Sequence, residues 1–195
     1  MSVLIGYVKN GVTYMATDTR VIDNARKRNE VCECNFKLHK LDNGIIYGAT
    51  GSRYIRQFLR MNEDMFILDE HGDLTRQHIV MGILPRLYFS LQEANLLDNK
   101  NGEQPSSPSS ILIGFKGKLF EICWDFSVYR YEKYQAIGAF ADYALAAVSD
   151  IDENGDINKQ LIDAMRICAK NTEYVGGPYL TINTSELKYE LTEEE

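Results

Sequence analysis

The feature that most restricts what this chain can become is Asn10-Gly11, set between Ser-Val-Leu-Ile-Gly-Tyr-Val-Lys at 2–9 and Val-Thr-Tyr-Met-Ala-Thr at 12–17. Both turn positions tolerate positive φ, which a two-residue connection between antiparallel strands demands, so the chain is expected to open with a tight hairpin. A second hairpin is expected from strands at 34–41 and 45–50, joined at Asp42-Asn43-Gly44. Four antiparallel strands within fifty residues argue against a parallel βαβ fold from the start.

From Ser52 the period changes from two to about three and a half. Ile55, Phe58, Leu59, Met65 and Phe66 recur at helical spacing, and a second helix is expected from about Thr75 to Leu97, kinked at Pro85. Residues 98–110 are polar and rich in Ser and Pro, and read as a surface loop. Strands follow at 110–116 and 118–125, turning at Lys116-Gly117, and a third near 128–135. Gly138 opens a helix of small residues (Ala141, Ala144, Ala146, Ala147), and a further helix covers about 157–170. The chain closes with strands at 179–183 and 186–191 and an acidic tail at 192–195. Strands, two helices, strands, two helices, strands points to an α+β fold. The expected form is a four-layer αββα sandwich, with two antiparallel sheets face to face and the helices outside.

At 195 residues with 45% hydrophobic content, one domain over 1–195 is expected. A net charge of −7 opposes nucleic-acid binding, and Arg26-Lys27-Arg28 reads as a solvated loop. Nothing resembles a membrane span or a leader, so a cytoplasmic location is expected, with no membrane partner. The four cysteines are few, and a cytoplasmic chain keeps them reduced. Cys32-Glu33-Cys34 reads as strand sequence, since one C-x-C without nearby histidine is poor zinc chemistry, while Cys123 and Cys168 read as core. No cofactor is expected.

One acidic stretch has metal-ligand spacing. Asp150, Asp152, Asn154 and Asp156 fall at positions 1, 3, 5 and 7 of a calcium-type loop, with Gly155 at 6. Leu161 stands where the closing carboxylate belongs, so any affinity is roughly millimolar at best. The simpler reading is a helix–helix connection in which Asp156 caps the following helix.

The N-terminus carries its own chemistry. Removal of Met1 would leave Ser2 with a hydroxyl and a free α-amine on the same few atoms, a nucleophile and base in one residue. Such an amine titrates near pH 7.7–8.0 in reference peptides, so a useful fraction is unprotonated at neutral pH.

A wider pattern joins this residue to others. Ala16-Thr17-Asp18-Thr19-Arg20, Lys37 followed by His39-Lys40-Leu41, and Gly48-Ala49-Thr50-Gly51-Ser52 occur in order after it. Ala136-Ile137-Gly138, Tyr143-Ala144 and Gly176-Gly177 follow. In joint order and spacing, over nearly the whole chain, the sequence resembles the proteasome β-subunit family, and within it the bacterial HslV peptidases. The resemblance implies an N-terminal-nucleophile hydrolase acting on a polypeptide or a small amide. Ser2 would attack the carbonyl, Lys37 would keep the amine from protonating, Asp18 would hold Lys37 with Arg20 bracing Asp18, and the Gly51 N–H would face the oxyanion. It also implies a homo-oligomeric ring and an ATP-dependent unfoldase as partner.

Each residue has a plainer reading: Asp18 as a turn former, Lys37 as a surface lysine whose loss leaves the fold intact, Gly51 as a helix start. The chain also departs from the family pattern. The family nucleophile is normally Thr, Ala139 replaces a supporting Ser, and Thr172 and Val175 stand where an Asp and a Ser are usual. A ring-forming relative with weakened or lost activity is the alternative, and a weak calcium-binding scaffold through 150–161 a third.

Overall fold

The computed structural model describes residues 2–23, 26–98 and 105–193. Met1, the middle of the 98–110 loop and the last two residues of the acidic tail lie outside the described residues. The opening hairpin forms as its turn requires: β1 (Val3–Lys9) and β2 (Val12–Asp18) are antiparallel, with Asn10 and Gly11 at φ 49° and 76°. β1 is flanked on its other side by β10 (Tyr134–Gly138), and β2 by β11 (Tyr179–Asn183) and then β12 (Glu190–Thr192). The second sheet runs β5 (Leu38–Lys40), β6 (Ile46–Gly51), β7 (Ser109–Phe115), β8 (Lys118–Ile122), β9 (Val128–Tyr131), every neighbour antiparallel.

Three apolar layers hold these sheets. Leu4, Met15, Leu38, Ile46, Leu112, Leu119, Leu180 and Ile182 meet between them. Outside the first sheet, Val3, Ile5, Tyr7 and Ala16 pack on α4 (Ala141–Val148) and α5 (Ile157–Asn171) through Ala144, Val148, Leu161, Met165 and Cys168. Outside the second, Tyr47, Ala49, Ile113 and Phe120 pack on α1 (Arg53–Met61) and α3 (Leu84–Glu93) through Ile55, Leu59, Leu87 and Leu91. The molecule is therefore a four-layer αββα sandwich. Burial on both faces explains why residues 3–7 read as a continuous apolar run rather than an alternating one. Among the described residues no helix is long and apolar enough to cross a membrane.

Several elements differ from the sequence reading. Arg26–Asn29 is not a loop but β4, paired with β3 (Arg20–Asp23) in a two-stranded ribbon. The strand expected at 34–41 is reduced to β5, because Glu33–Asn35 forms a 3-10 turn that carries Cys32 and Cys34 out of any sheet. Both cysteines are exposed, their sulfurs 2.7 Å apart, and Cys123 is only partly buried. The strand expected near 128–135 is two strands, β9 and β10, belonging to different sheets. The last strand forms only at Glu190–Thr192, after a turn that Asn183 organises by accepting from the Ser185 and Glu186 N–H groups at 3.0 Å each. The long helix is interrupted too. Pro85 has no N–H to give one turn back, and a π-helical turn at Ile79–Ile83, preceded by the short α2 (Arg76–His78), places it in the first turn of α3, where no donor is needed.

The second sheet also buries an imidazole. His39 on β5 is 4% exposed and lies tilted against Tyr47, ring centroids 5.1 Å apart; burial, with Arg60 and Arg56 nearby, pulls it down to about 4. In the unfolded chain it titrates near 6.5, so between these values the unfolded state holds a proton that the folded state refuses. Its stabilising effect is complete above pH 6.5 and is lost as the pH falls toward 4, a change of up to about 3 kcal/mol. Urea unfolding of the wild type from pH 7 to 4 is expected to show this loss, with a visibly flatter slope in His39→Gln.

Candidate active site

Ser2 directly precedes β1, so the pairing of that strand sets its position. Val3 lies opposite Gly138 of β10, and Leu4 opposite Thr17 of β2. Side chains at the end of β2 then fix the peptide groups beside Ser2. The Val3 N–H donates to Asp18 Oδ1 at 3.1 Å, and the Thr17 hydroxyl donates to the Val3 carbonyl at 2.8 Å. Asp18 uses its other oxygen on Lys37, whose Nζ donates to Oδ2 at 2.7 Å and to the Arg20 carbonyl at 2.8 Å. One carboxylate thus links the residue after Ser2 to the lysine ammonium.

Both charges are out of water, Asp18 at 0% and Lys37 at 2% exposed, which overturns the reading of Lys37 as a surface lysine. Burial is the largest influence on Lys37 and pulls its ammonium below the ordinary lysine value, while the Asp18 charge and hydrogen bond act in the opposite sense. The carboxylate is what makes a buried ammonium tolerable here.

Two glycines close the site. Gly51 ends β6 at φ 102°, and Gly138 ends β10 at φ 111°. A Cβ on Gly51 would strike the Pro108 carbonyl oxygen, and one on Gly138 the Ser2 carbonyl oxygen, so each position excludes a side chain on two grounds. Ser2 lies between two clefts. One of about 230 Å³ runs under β3 to the start of α1, past Val21, Ile22, Gly51, Arg53 and Arg56. The other, about 480 Å³, is walled by Thr50, Pro108, Ser109, Trp124 and Ala139. A larger hollow of about 780 Å³ around Lys40, Asn43 and Arg60 does not reach Ser2, and the chemistry rather than the size marks the site.

Of the residues singled out from sequence, Ser2, Asp18, Lys37 and Gly51 come together. Arg20 joins through its backbone: its carbonyl holds Lys37, and its guanidinium donates to the Val175 carbonyl at 3.1 Å, which braces the 173–176 loop. Asp150, Asp152, Asn154 and Asp156 lie in the connection between α4 and α5, in an outer layer. Asp156 Oδ1 accepts from the Lys159 N–H at 3.2 Å, and Asp152 Oδ1 from the Asn154 N–H at 2.9 Å, so capping and turn formation occupy these two carboxylates. Among the described residues no cluster of three acidic, histidine or cysteine side chains is placed to hold a metal. The sequence reading missed Arg53, Arg56 and Trp124 as walls of the clefts; the arginine pair three apart on one helix face, directly after Gly51-Ser52, was the available signal.

The fold has solved counterparts. BPH from Thiobacillus denitrificans, solved in complex with epoxomicin, superposes with a TM-score of 0.75 at 20% identity, over 93% of this chain and 97% of that one. Eukaryotic HslV from Trypanosoma brucei gives 0.61 at 18% identity, over 93% and 98%. Anbu, an ancestral beta-subunit from Yersinia bercovieri, gives 0.68 at 12% identity, over 99% and 88%. These similarities show that the chain shares its fold, the four-layer αββα sandwich, with these proteins. No family model matches the sequence, and no curated protein does.

Removing one member of the Asp18–Lys37 pair leaves the other charged and buried. Lys37→Ala is therefore expected to destabilise the chain by about 3–5 kcal/mol, read as a lowered urea midpoint. Adding Asp18→Asn to a Lys37→Met chain should recover part of the loss, because the stranded carboxylate is gone; a double variant as unstable as the sum of the singles would contradict this account.

Proposed function

We propose that the chain is an N-terminal-nucleophile amidohydrolase of proteasome type, cleaving peptide bonds with Ser2 once Met1 has been removed. The observation that supports this best is the Asp18 carboxylate, which binds the peptide N–H next to Ser2 and the Lys37 ammonium at the same time. In the proposed reaction the Ser2 Oγ attacks the substrate carbonyl and passes its proton to the α-amine of the same residue. The lysine charge disfavours prior protonation of that amine. The Gly51 N–H would face the tetrahedral oxyanion. Collapse returns the proton to the leaving amine and leaves an acyl ester on Ser2. Water, deprotonated by the same α-amine, then releases the acid and restores the hydroxyl. A small amide would react by the same steps as a polypeptide.

The alternative of a relative that kept the fold and lost turnover has a specific observation behind it. Ala139 offers the cleft beside Ser2 a methyl where the family carries a hydroxyl, and Val175 is fully buried where a Ser is usual. A peptide boronate or β-lactone separates the two readings. Chains lacking Met1 should form an adduct at Ser2 and Met1-containing chains should not, by intact mass. Ser2→Ala should abolish labelling, whereas Ser2→Thr, which keeps the hydroxyl and restrains χ1, should retain it. General-base assistance is worth about 10²–10⁴-fold, so blocking the α-amine by acetylation should slow labelling by at least that order. Processed chains that never label would favour the inactive relative.

Ring assembly with an enclosed chamber, in the cytoplasm and supplied by an ATP-dependent unfoldase, completes the proposal. Tyr54 and Met61 on α1, with Met81 and Phe89 on the neighbouring helical run, are exposed apolar side chains of the kind a subunit contact covers. Sedimentation at micromolar concentration is expected to show six or more copies, and a monomer would refute it.

A further inference from the structure

The smaller of the two clefts at Ser2 has an electrostatic character that the composition does not impose. The chain is acidic, yet this cleft is lined by Arg53 and Arg56, one helical turn apart on α1, and among the described residues by no carboxylate. Both arginines continue into an adjoining hollow of about 400 Å³, where Glu30 is the acidic neighbour. Asp18, though close in sequence, is committed to Val3 and Lys37. Arg20 also lines the cleft, with its guanidinium engaged by the Val175 carbonyl.

Arg56 is the informative member. Its side chain is 11% exposed, and its ion pair with Glu30 spans 3.7 Å, too long for a charge-assisted hydrogen bond. Its Nη1 is buried and meets no hydrogen-bond acceptor. A buried guanidinium N–H without an acceptor is unfavourable, and a carboxylate in the cleft would satisfy it with the fork geometry that arginine presents. The free N–H groups at the start of α1 favour the same charge. Val21 and Ile22 on the facing wall suit the methylene stem of a short acidic side chain.

We infer that this cleft selects substrates with an aspartate or glutamate side chain on the acyl side of the scissile amide, held by Arg56 and Arg53. The inference rests on Ser2 being the nucleophile, since that residue defines which part of a substrate reaches the cleft. A basic side chain would face two guanidiniums and be rejected by like charge; an apolar one would leave Arg56 without an acceptor.

The test uses the processed full-length chain and peptide amides that differ only in the residue before the reporter group: Glu, Asp, Leu or Lys. Glu or Asp should exceed Leu in kcat/KM by about tenfold or more, the discrimination one buried polar contact supplies, with Lys lowest. Arg56→Gln should collapse the Glu-to-Leu ratio, and Arg53→Gln, at a less buried position, should lower it in a chain whose folding is less at risk. Leu equal to or better than Glu would overturn the inference, as would variants that slow all four peptides alike. Binding of the same peptides as free acids to Ser2→Ala, by fluorescence polarisation, decides the matter separately from turnover. If no peptide is cleaved but the Glu peptide binds about tenfold tighter than the Leu peptide, the nucleophile reading fails and the cleft assignment stands. Equal binding sinks the cleft assignment.

Discussion

The buried contact between Asp18 and Lys37 is the constraint on which the rest of the site depends. Two opposite charges with essentially no access to water are tolerated only when geometry and additional hydrogen bonds are good, and here each partner has a second bond, to the Val3 N–H and to the Arg20 carbonyl. Those second bonds carry the structural information. They tie the chain start, the end of β2, the first residue of β3 and the lead-in to β5 to one point. That point lies where the first sheet, the β3–β4 ribbon and the second sheet converge. A pair of this kind adds little net stability compared with apolar residues of similar size, but it specifies one arrangement of four segments.

Sheet register then converts that point into a site. β1 runs between β2 and β10, so Ser2 emerges beside Gly138 on one side and Asp18 on the other. The second sheet brings Gly51 to the same place, because β6 ends there and α1 begins within two residues. Two strand ends that cannot bear a Cβ, each packed against a carbonyl oxygen of the chain itself, let the backbone of the two sheets close up around Ser2 while the walls of the clefts remain side chains. Local turn chemistry and the long-range packing of the sheets thus agree on a single opening.

The sequence revealed what is local and concealed what is paired at a distance. The opening hairpin was legible because Asn10 and Gly11 determine their own turn, and the helices were legible from their apolar spacing. The β3–β4 ribbon was not, since Arg26, Lys27 and Arg28 are exposed and no alternation marks them. The short β5 was overextended because the 3-10 turn at Glu33–Asn35 has no distinctive signature. β9 and β10 read as one strand because the switch between sheets takes only Glu132 and Lys133. Most instructive is Lys37, whose position was readable only by resemblance. Nothing in its neighbours, Phe36 and Leu38, says that a charged side chain will be buried, because the partner that permits it lies nineteen residues earlier.

Ala139 and Val175, where the resemblance led one to expect hydroxyls, bear on the same point. Backbone carbonyls of the segment before β11 brace the chain between β2 and β3. Pro178 accepts from the Thr19 N–H at 3.2 Å and from its hydroxyl at 2.7 Å, and Val175 accepts from the Arg20 guanidinium at 3.1 Å. Residues 19 and 20 are thereby fixed, and the Arg20 carbonyl can hold Lys37. Bracing by carbonyls does not depend on which side chain occupies 175, so the arrangement around Ser2 does not rest on the Val175 side chain. A carbonyl positions a neighbour, however, but gives no proton.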